Sequence, residues 1–247
     1  MKHLVTSGCS FSKPGDYTEG TSTKPDTWPE WLEKSIQPDK SYHLGVSSNG
    51  QELISRKAIH CVNQLLNEGV KPQDIIVGIM WSTEDRRQFY IPNGYDNQYL
   101  LKPNPSPSNP HHWPKNDHYG TWHLQNAGFM NKFAENYYKY FYDTTHSIIN
   151  SYEHVLRTQW YFEKHNIKYF MSTINDYTFE GDWKNHAQID YLKALVDWSK
   201  FLPAELPWVI ANTEQWCNDE FFHPNNSQHH EYVERVILPY IYKTYGK

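Results

Sequence analysis

The sequence predicts one α/β domain spanning residues 1–247, a three-layer arrangement with a parallel sheet covered by helices on both faces. Three observations predict it. Short apolar, β-branched runs recur along the chain; stretches with apolar residues at helical spacing separate them; and 247 residues suffice for one substantial core but not for two typical domains. Strands that alternate with helices are joined by crossovers, which makes neighbouring strands parallel and buries both sheet faces.

The first expected strand is residues 3–7, which breaks into Ser7-Gly8-Cys9-Ser10-Phe11-Ser12. A helix over 28–36 follows, with Pro29 in its first turn, where a missing N–H costs nothing. The second strand is expected at 42–46. The helix over 52–67 places Leu53, Ile54, Ile59, Leu65 and Leu66 on helical spacing before Gly69 ends it. Strands three and four, at 74–81 and 167–174, are the most apolar and β-branched. One or two aromatic helices occupy 129–165 and another 187–201, with a fifth strand at 208–211. The last helix, 227–245, turns Tyr232, Val233, Val236 and Ile237 inward, and Pro239 kinks it or ends it early.

One stretch breaks the alternation. Residues 88–128 are rich in Pro, Asn, His, Tyr and Trp and show no period. Such length without structure inside a compact domain signals function or disorder, and the rings of Tyr90, Tyr95, Tyr99, Trp113, Tyr119 and Trp122 argue for order. The expectation is an insertion that covers or lines a site. In a parallel sheet with helices on both faces that site belongs at the carboxyl ends of the strands.

Composition excludes several classes of function. With 23 basic against 28 acidic residues, the net charge of −5 offers no footprint for a phosphate backbone, so nucleic acid is not an expected partner. The first residues are too short an apolar run for a signal peptide, and no run approaches membrane-spanning length. The expected protein is soluble and cytoplasmic as synthesised, with no membrane partner. Cys9, Cys61 and Cys217 are odd in number and widely spaced, which fits neither a disulfide framework nor a zinc site and suits a reducing compartment. Ten Trp and 19 Tyr in a chain of mean hydropathy −0.82 suit grooves that contact flat polyols, or ordinary half-buried contacts.

No cofactor or metal is expected. Gly8 and Gly15 do not make a dinucleotide-binding glycine pattern, and no Gly-Lys-Ser/Thr occurs. Of the 14 His, His111, His112, His118 and His123 gather in the insertion, but without zinc-type spacing.

The residues that carry chemistry lie at the two ends of the chain. A serine at a strand-to-turn junction needs a neighbouring base before it is a useful nucleophile at neutral pH, and His223-Pro224 stands just ahead of the last helix. Small hydroxyl residues also cap turns, so the position alone leaves both roles open. Proline restricts His223 to extended backbone, which fixes the ring.

The order of these blocks resembles the SGNH (GDSL-like) hydrolases. Ser7-Gly8-Cys9-Ser10-Phe11-Ser12, then Trp28-Pro29-Glu30-Trp31-Leu32, and finally His223-Pro224-Asn225 look like members common in bacteriophage genomes. The resemblance implies a flavodoxin-like parallel sheet, a serine esterase and, in that branch, virion association. It implies Ser10 as nucleophile, ahead of Ser7 and Ser12, with its own backbone N–H in the oxyanion site. His229 and His230, on or beside the last helix, are expected on its solvated face, while His223 would be the base. The family's Asp three residues before that histidine is Glu220 here, with Asp219 one further back; Asp219 is favoured narrowly because its shorter side chain reaches the same place. The glycine N–H after the second strand corresponds to Ser48 or Gly50. The family's side-chain amide after the third strand is missing from Met80-Trp81-Ser82-Thr83-Glu84-Asp85-Arg86, which leaves Asn49 or Ser82 to replace it. Substrate contacts are expected from Trp81, Trp113 and Trp122, and from Arg86 toward an anionic group unless it pairs with Glu84 or Asp85. The implied partner is an ester of a small molecule or a glycan, for instance an O-acetylated polysaccharide. A non-catalytic glycan-binding or virion protein, or an acyltransferase, would share these residues.

Overall fold

The computed structural model describes residues 2–14, 26–92, 120–125, 132–174, 179, 186–203 and 223–246. Its strands are β1 (His3–Ser7), β2 (Lys40–His43), β3 (Ile75–Trp81), β4 (Arg87–Pro92), β5 (Gly120–Gln125) and β6 (Lys168–Thr173). Four of them form a parallel sheet in the order β2-β1-β3-β6, in which Val5 pairs with Tyr42 on one side and Val77 on the other, and Val77 pairs with Tyr169. From β1 the chain thus moves to one edge, then returns past β1 to build the other. Such a reversal of direction beside the first strand opens a crevice at the strands' carboxyl ends.

Alternation along each strand sorts the core into two halves, because successive side chains leave opposite faces of a sheet. Val5, Ile75, Val77, Ile79, Trp81, Tyr169 and Met171 join one cluster with α2 (Gln51–Asn67) and α4 (Thr144–Lys164). Leu4, Ile76, Met80 and Phe170 join the other with α1 (Trp28–Ile36) and the C-terminal helices. These are the two helical layers expected from the sequence. Trp81 belongs to the first cluster and is wholly enclosed, so its expected place in a substrate groove is corrected: at an odd position of a strand buried on both faces, its ring is core.

The elements expected from periodicity appear with shifted ends. β2 ends at His43 rather than reaching Val46, although the amides of Leu44 and Val46 still donate to the carbonyls of Thr6 and Gly8 at 2.8 and 3.2 Å. The aromatic helical stretch divides into α3 (Lys132–Tyr140) and α4, which Asp143 caps by accepting the His146 amide. The helix expected over 187–201 stops early as α5 (Ala187–Leu195), and Asp197 starts a separate 3-10 turn by accepting the Ser199 amide at 3.0 Å. The last helix is α6 (Asn226–Tyr232), a π-helical turn (Val233–Ile237) and α7 (Leu238–Tyr245). Pro239 opens α7 and does not break the chain there, because the wide turn before it absorbs the missing hydrogen bond.

The stretch expected to lack a period is bracketed by an antiparallel ribbon in which Arg87 pairs with Gln125 and Pro92 with Gly120. Phe89, Tyr90, Ile91 and Trp122 are good strand formers, a signal the prolines and histidines around them obscured. The middle of that insertion with Trp113, the expected strand at 208–211, and Cys217, Asp219 and Glu220 lie outside the described residues.

Candidate functional site

The carboxyl end of β1 runs into Gly8, Cys9 and a 3-10 turn over Ser10–Ser12. Close approach shapes this corner. A methyl group on Gly8 would lie 2.2 Å from Ser12 Oγ, and one on Gly45 would lie 2.2 Å from the Ser12 carbonyl oxygen. The turn can therefore nest against the loop after β2 only where both positions lack a side chain. That loop reaches back in turn, since Asn49 Nδ2 donates to the Gly8 carbonyl at 3.0 Å.

The three hydroxyls of this corner have different partners. Ser7 Oγ donates to the Ile54 carbonyl at 3.0 Å, and Ser12 Oγ accepts the Trp28 indole N–H at 2.9 Å, both out of contact with solvent. Ser10 Oγ, 8 % exposed as a residue, lies 3.0 Å from His223 Nε2. Residues 213 positions apart are brought together at the rim of the sheet. With the proton of the neutral ring on Nδ1, Nε2 accepts the Ser10 O–H, the arrangement a general base requires.

His223 is flanked by ordered neighbours. The edge of the Phe11 ring meets the imidazole at 5.0 Å between centroids. Pro224 is buried, and Asn225 caps α6 by accepting the Gln228 amide while Gln228 Oε1 accepts the Asn225 amide, each at 2.9 Å. Asn226 Oδ1 accepts the Trp31 indole N–H at 3.0 Å and the Asp26 amide at 3.1 Å. Through Trp28 and Trp31, α1 thus grips the turn that carries Ser10 with one indole and the helix behind His223 with the other.

The expected oxyanion residues lie together but are partly engaged. Ser48 adopts left-handed backbone, φ +63°, and turns the chain toward Asn49. Gly50 begins α2 so close to the Arg86 carbonyl and Gln88 Nε2 that a methyl group there would lie 2.4 Å from each. Ser82 Oγ donates to the Asn49 carbonyl at 2.6 Å, and Gln51 Nε2 donates to the Ser82 carbonyl at 2.8 Å. One amide hydrogen of Asn49 is thereby bound to Gly8, leaving its second, and the Ser82 hydroxyl is spent on backbone. Arg86 is half-buried, and its Nη1 has no hydrogen-bond partner among the described residues. Trp122 sits on β5 opposite Tyr90. Beside that ribbon, Phe89 meets Tyr137, Tyr137 meets Tyr138, and Tyr138 meets Tyr142, with centroids 5.0 to 5.2 Å apart.

One residue of the site has no signal in the sequence pattern. His229 and His230 are neighbours on α6 and read equally as solvated-face positions. The His230 ring lies tilted against Trp31 with centroids 4.2 Å apart and stays half-exposed, as expected. His229 contradicts the expectation: it is wholly enclosed, and burial followed by the nearby His223 pushes its imidazole down to about 3. Helical spacing places it on the inward side with Tyr232, but a histidine gives no apolar mark to a period.

Neither a scan of protein-family models nor a search of curated proteins found a match to this chain. No helix among the described residues is long and apolar enough to cross a membrane.

Proposed function

We propose that the protein is a serine esterase of the SGNH type that hydrolyses carboxylic esters, with O-acyl groups on a glycan as the substrate class. The reading rests on one contact, the 3.0 Å between Ser10 Oγ and His223 Nε2 at the carboxyl edge of a parallel sheet. His223 takes the hydroxyl proton on Nε2 while Ser10 Oγ bonds to the ester carbonyl carbon. Backbone amides of Ser10 and of Ser48 or Gly50 hold the resulting oxyanion, with the second Asn49 amide hydrogen as the side-chain donor. The carbon–alkoxide bond then breaks as His223 returns the proton to the leaving oxygen. Water, deprotonated by the same ring, releases the acyl group from Ser10. Asp219 or Glu220 orients the imidazole from the segment just before it. The rings along β4 and α3 supply flat faces of the kind sugars stack on.

Hydrolysis of p-nitrophenyl acetate by the wild type and by Ser10→Ala, together with labelling by a fluorophosphonate, tests this reading. The expected result is a wild-type rate lost in the alanine variant and an adduct on Ser10; equal rates in both would end it.

A second reading is a glycan-binding protein that keeps the fold without turnover. It is favoured by the engagement of Ser82 Oγ and one Asn49 amide hydrogen on backbone carbonyls, since removing one oxyanion donor costs about 3 kcal/mol of transition-state stabilisation. Glycan binding with no adduct at Ser10 would select it. Acyl transfer between sugars uses the same residues and differs only in its product.

A further inference from the structure

The outer side of α5 carries apolar side chains that no described residue covers. Ile189 and Leu192 turn into the core, while Tyr191 and Leu195, one turn apart on the other side, stay 64 and 41 % exposed. Trp198 extends this surface past the helix end: its indole N–H donates to the Lys193 carbonyl at 3.0 Å, and the residue remains 37 % exposed. The neighbouring helix adds to it. Gln159 of α4 holds the Asp197 amide and carbonyl at 3.0 and 2.9 Å, and the next residue, Trp160, is 55 % exposed. Single exposed rings are ordinary on a protein surface, but several large ones gathered around one helix end mark an interaction surface.

Two charges beside these rings identify the occupant. Asp190 and Lys193 are both exposed, and neither forms an ion pair among the described residues. A spacing of three places them on one flank of α5, with the carboxylate nearer the amino end. When two copies of a helix pack antiparallel about a two-fold axis, each flank meets the same flank of its partner in reverse order. With the axis level with Tyr191 and Leu192, Asp190 of each copy therefore faces Lys193 of the other. The face is complementary to itself in charge as well as in its apolar character. A standard specific interface buries about 800 Å² on each partner, more than a helix of nine residues offers, so the rings of Trp198 and Trp160 belong to the contact.

We propose that the protein self-associates through α5. The product is a two-fold symmetric dimer in which the two helices run antiparallel, Tyr191, Leu195 and Trp198 are buried, and Asp190 and Lys193 form two ion pairs across the axis. The dimer stands apart from the Ser10–His223 contact and requires no esterase activity.

Sedimentation equilibrium of the full chain at concentrations up to about 200 µM, enough to fill a micromolar interface, tests this. The wild type should move from the 29.4 kDa of one chain toward twice that mass. Tyr191→Ser should abolish the shift. Asp190→Lys and Lys193→Asp each set like charges against one another across the axis and should weaken association about tenfold, whereas the chain carrying both reversals keeps the face complementary and should regain the wild-type affinity. Far-ultraviolet spectra verify that each variant is folded. A wild type that stays at the mass of one chain throughout would overturn the proposal. So would a dimer that persists in Tyr191→Ser and in both single reversals, or a double reversal no stronger than the single ones. Should a variant fail to fold, wild-type association unchanged between about 0.05 M and about 1 M salt would overturn the charge pairing alone.

Discussion

Two histidines held neutral by their surroundings should make the folded state lose stability in acid. His229 is held down to about 3 by burial and by His223; His154 is held down to about 3 by burial and by the guanidiniums of Arg157, Arg87 and Arg56. In the unfolded chain both rings titrate near 6.5. Below that value the unfolded state binds two protons that the folded state declines, so their contribution is present above about pH 6.5 and lost as the pH falls toward about 3. Each ring adds up to about 1.4 kcal/mol of lost stability per pH unit in that window. Urea midpoints measured from pH 4 to 7 should show this slope, and His154→Phe and His229→Phe should each remove about half of it. A slope unchanged in both variants would contradict the burial argument. At this scale the sequence was legible where residue type and local geometry coincide, as with Ser10 in a Gly-containing turn after a strand and His223 before proline. It was not legible for His229 or Trp81, whose roles depend on which neighbours close over them.

Among the elements, α1 matters more to the site than its nine residues suggest. Its Trp28 N–H holds Ser12, two residues past Ser10, and its Trp31 N–H holds Asn226, three residues past His223. Replacing Trp28 by phenylalanine keeps most of the apolar contact with Phe170 but leaves the Ser12 hydroxyl buried without its donor, which costs about 1–3 kcal/mol. The expected outcome is a chain with a native far-ultraviolet spectrum and a rate of fluorophosphonate labelling about tenfold lower, since 1.4 kcal/mol of misplacement is a factor of ten. Wild-type labelling in a folded variant would show that α1 does not hold the site. Helix and strand centres followed from periodicity because burial imposes it; ends did not, because local hydrogen bonds such as the Asp143 and Asp197 caps decide them. The β4–β5 ribbon escaped notice for a related reason: its pairing is between segments separated by a long insertion, and neither strand alternates strongly enough to be read alone.

At the scale of the molecule, the two half-cores share one sheet, so neither helical layer can leave without exposing the strands that the other needs. On the esterase reading proposed above, fluorophosphonate labelling of Ser10 and tryptophan fluorescence should therefore disappear in a single denaturant transition with a common midpoint. Reactivity lost well before the fluorescence change would mean that the C-terminal helices detach on their own. The 213-residue separation of Ser10 from His223 also orders events in time. During synthesis Ser10 leaves the ribosome long before His223, and the two side chains can meet only when the segment leading into α6 and α7 has emerged. The contact on which the proposed esterase reading rests can therefore be made only once the sheet and both of its helical layers are in place.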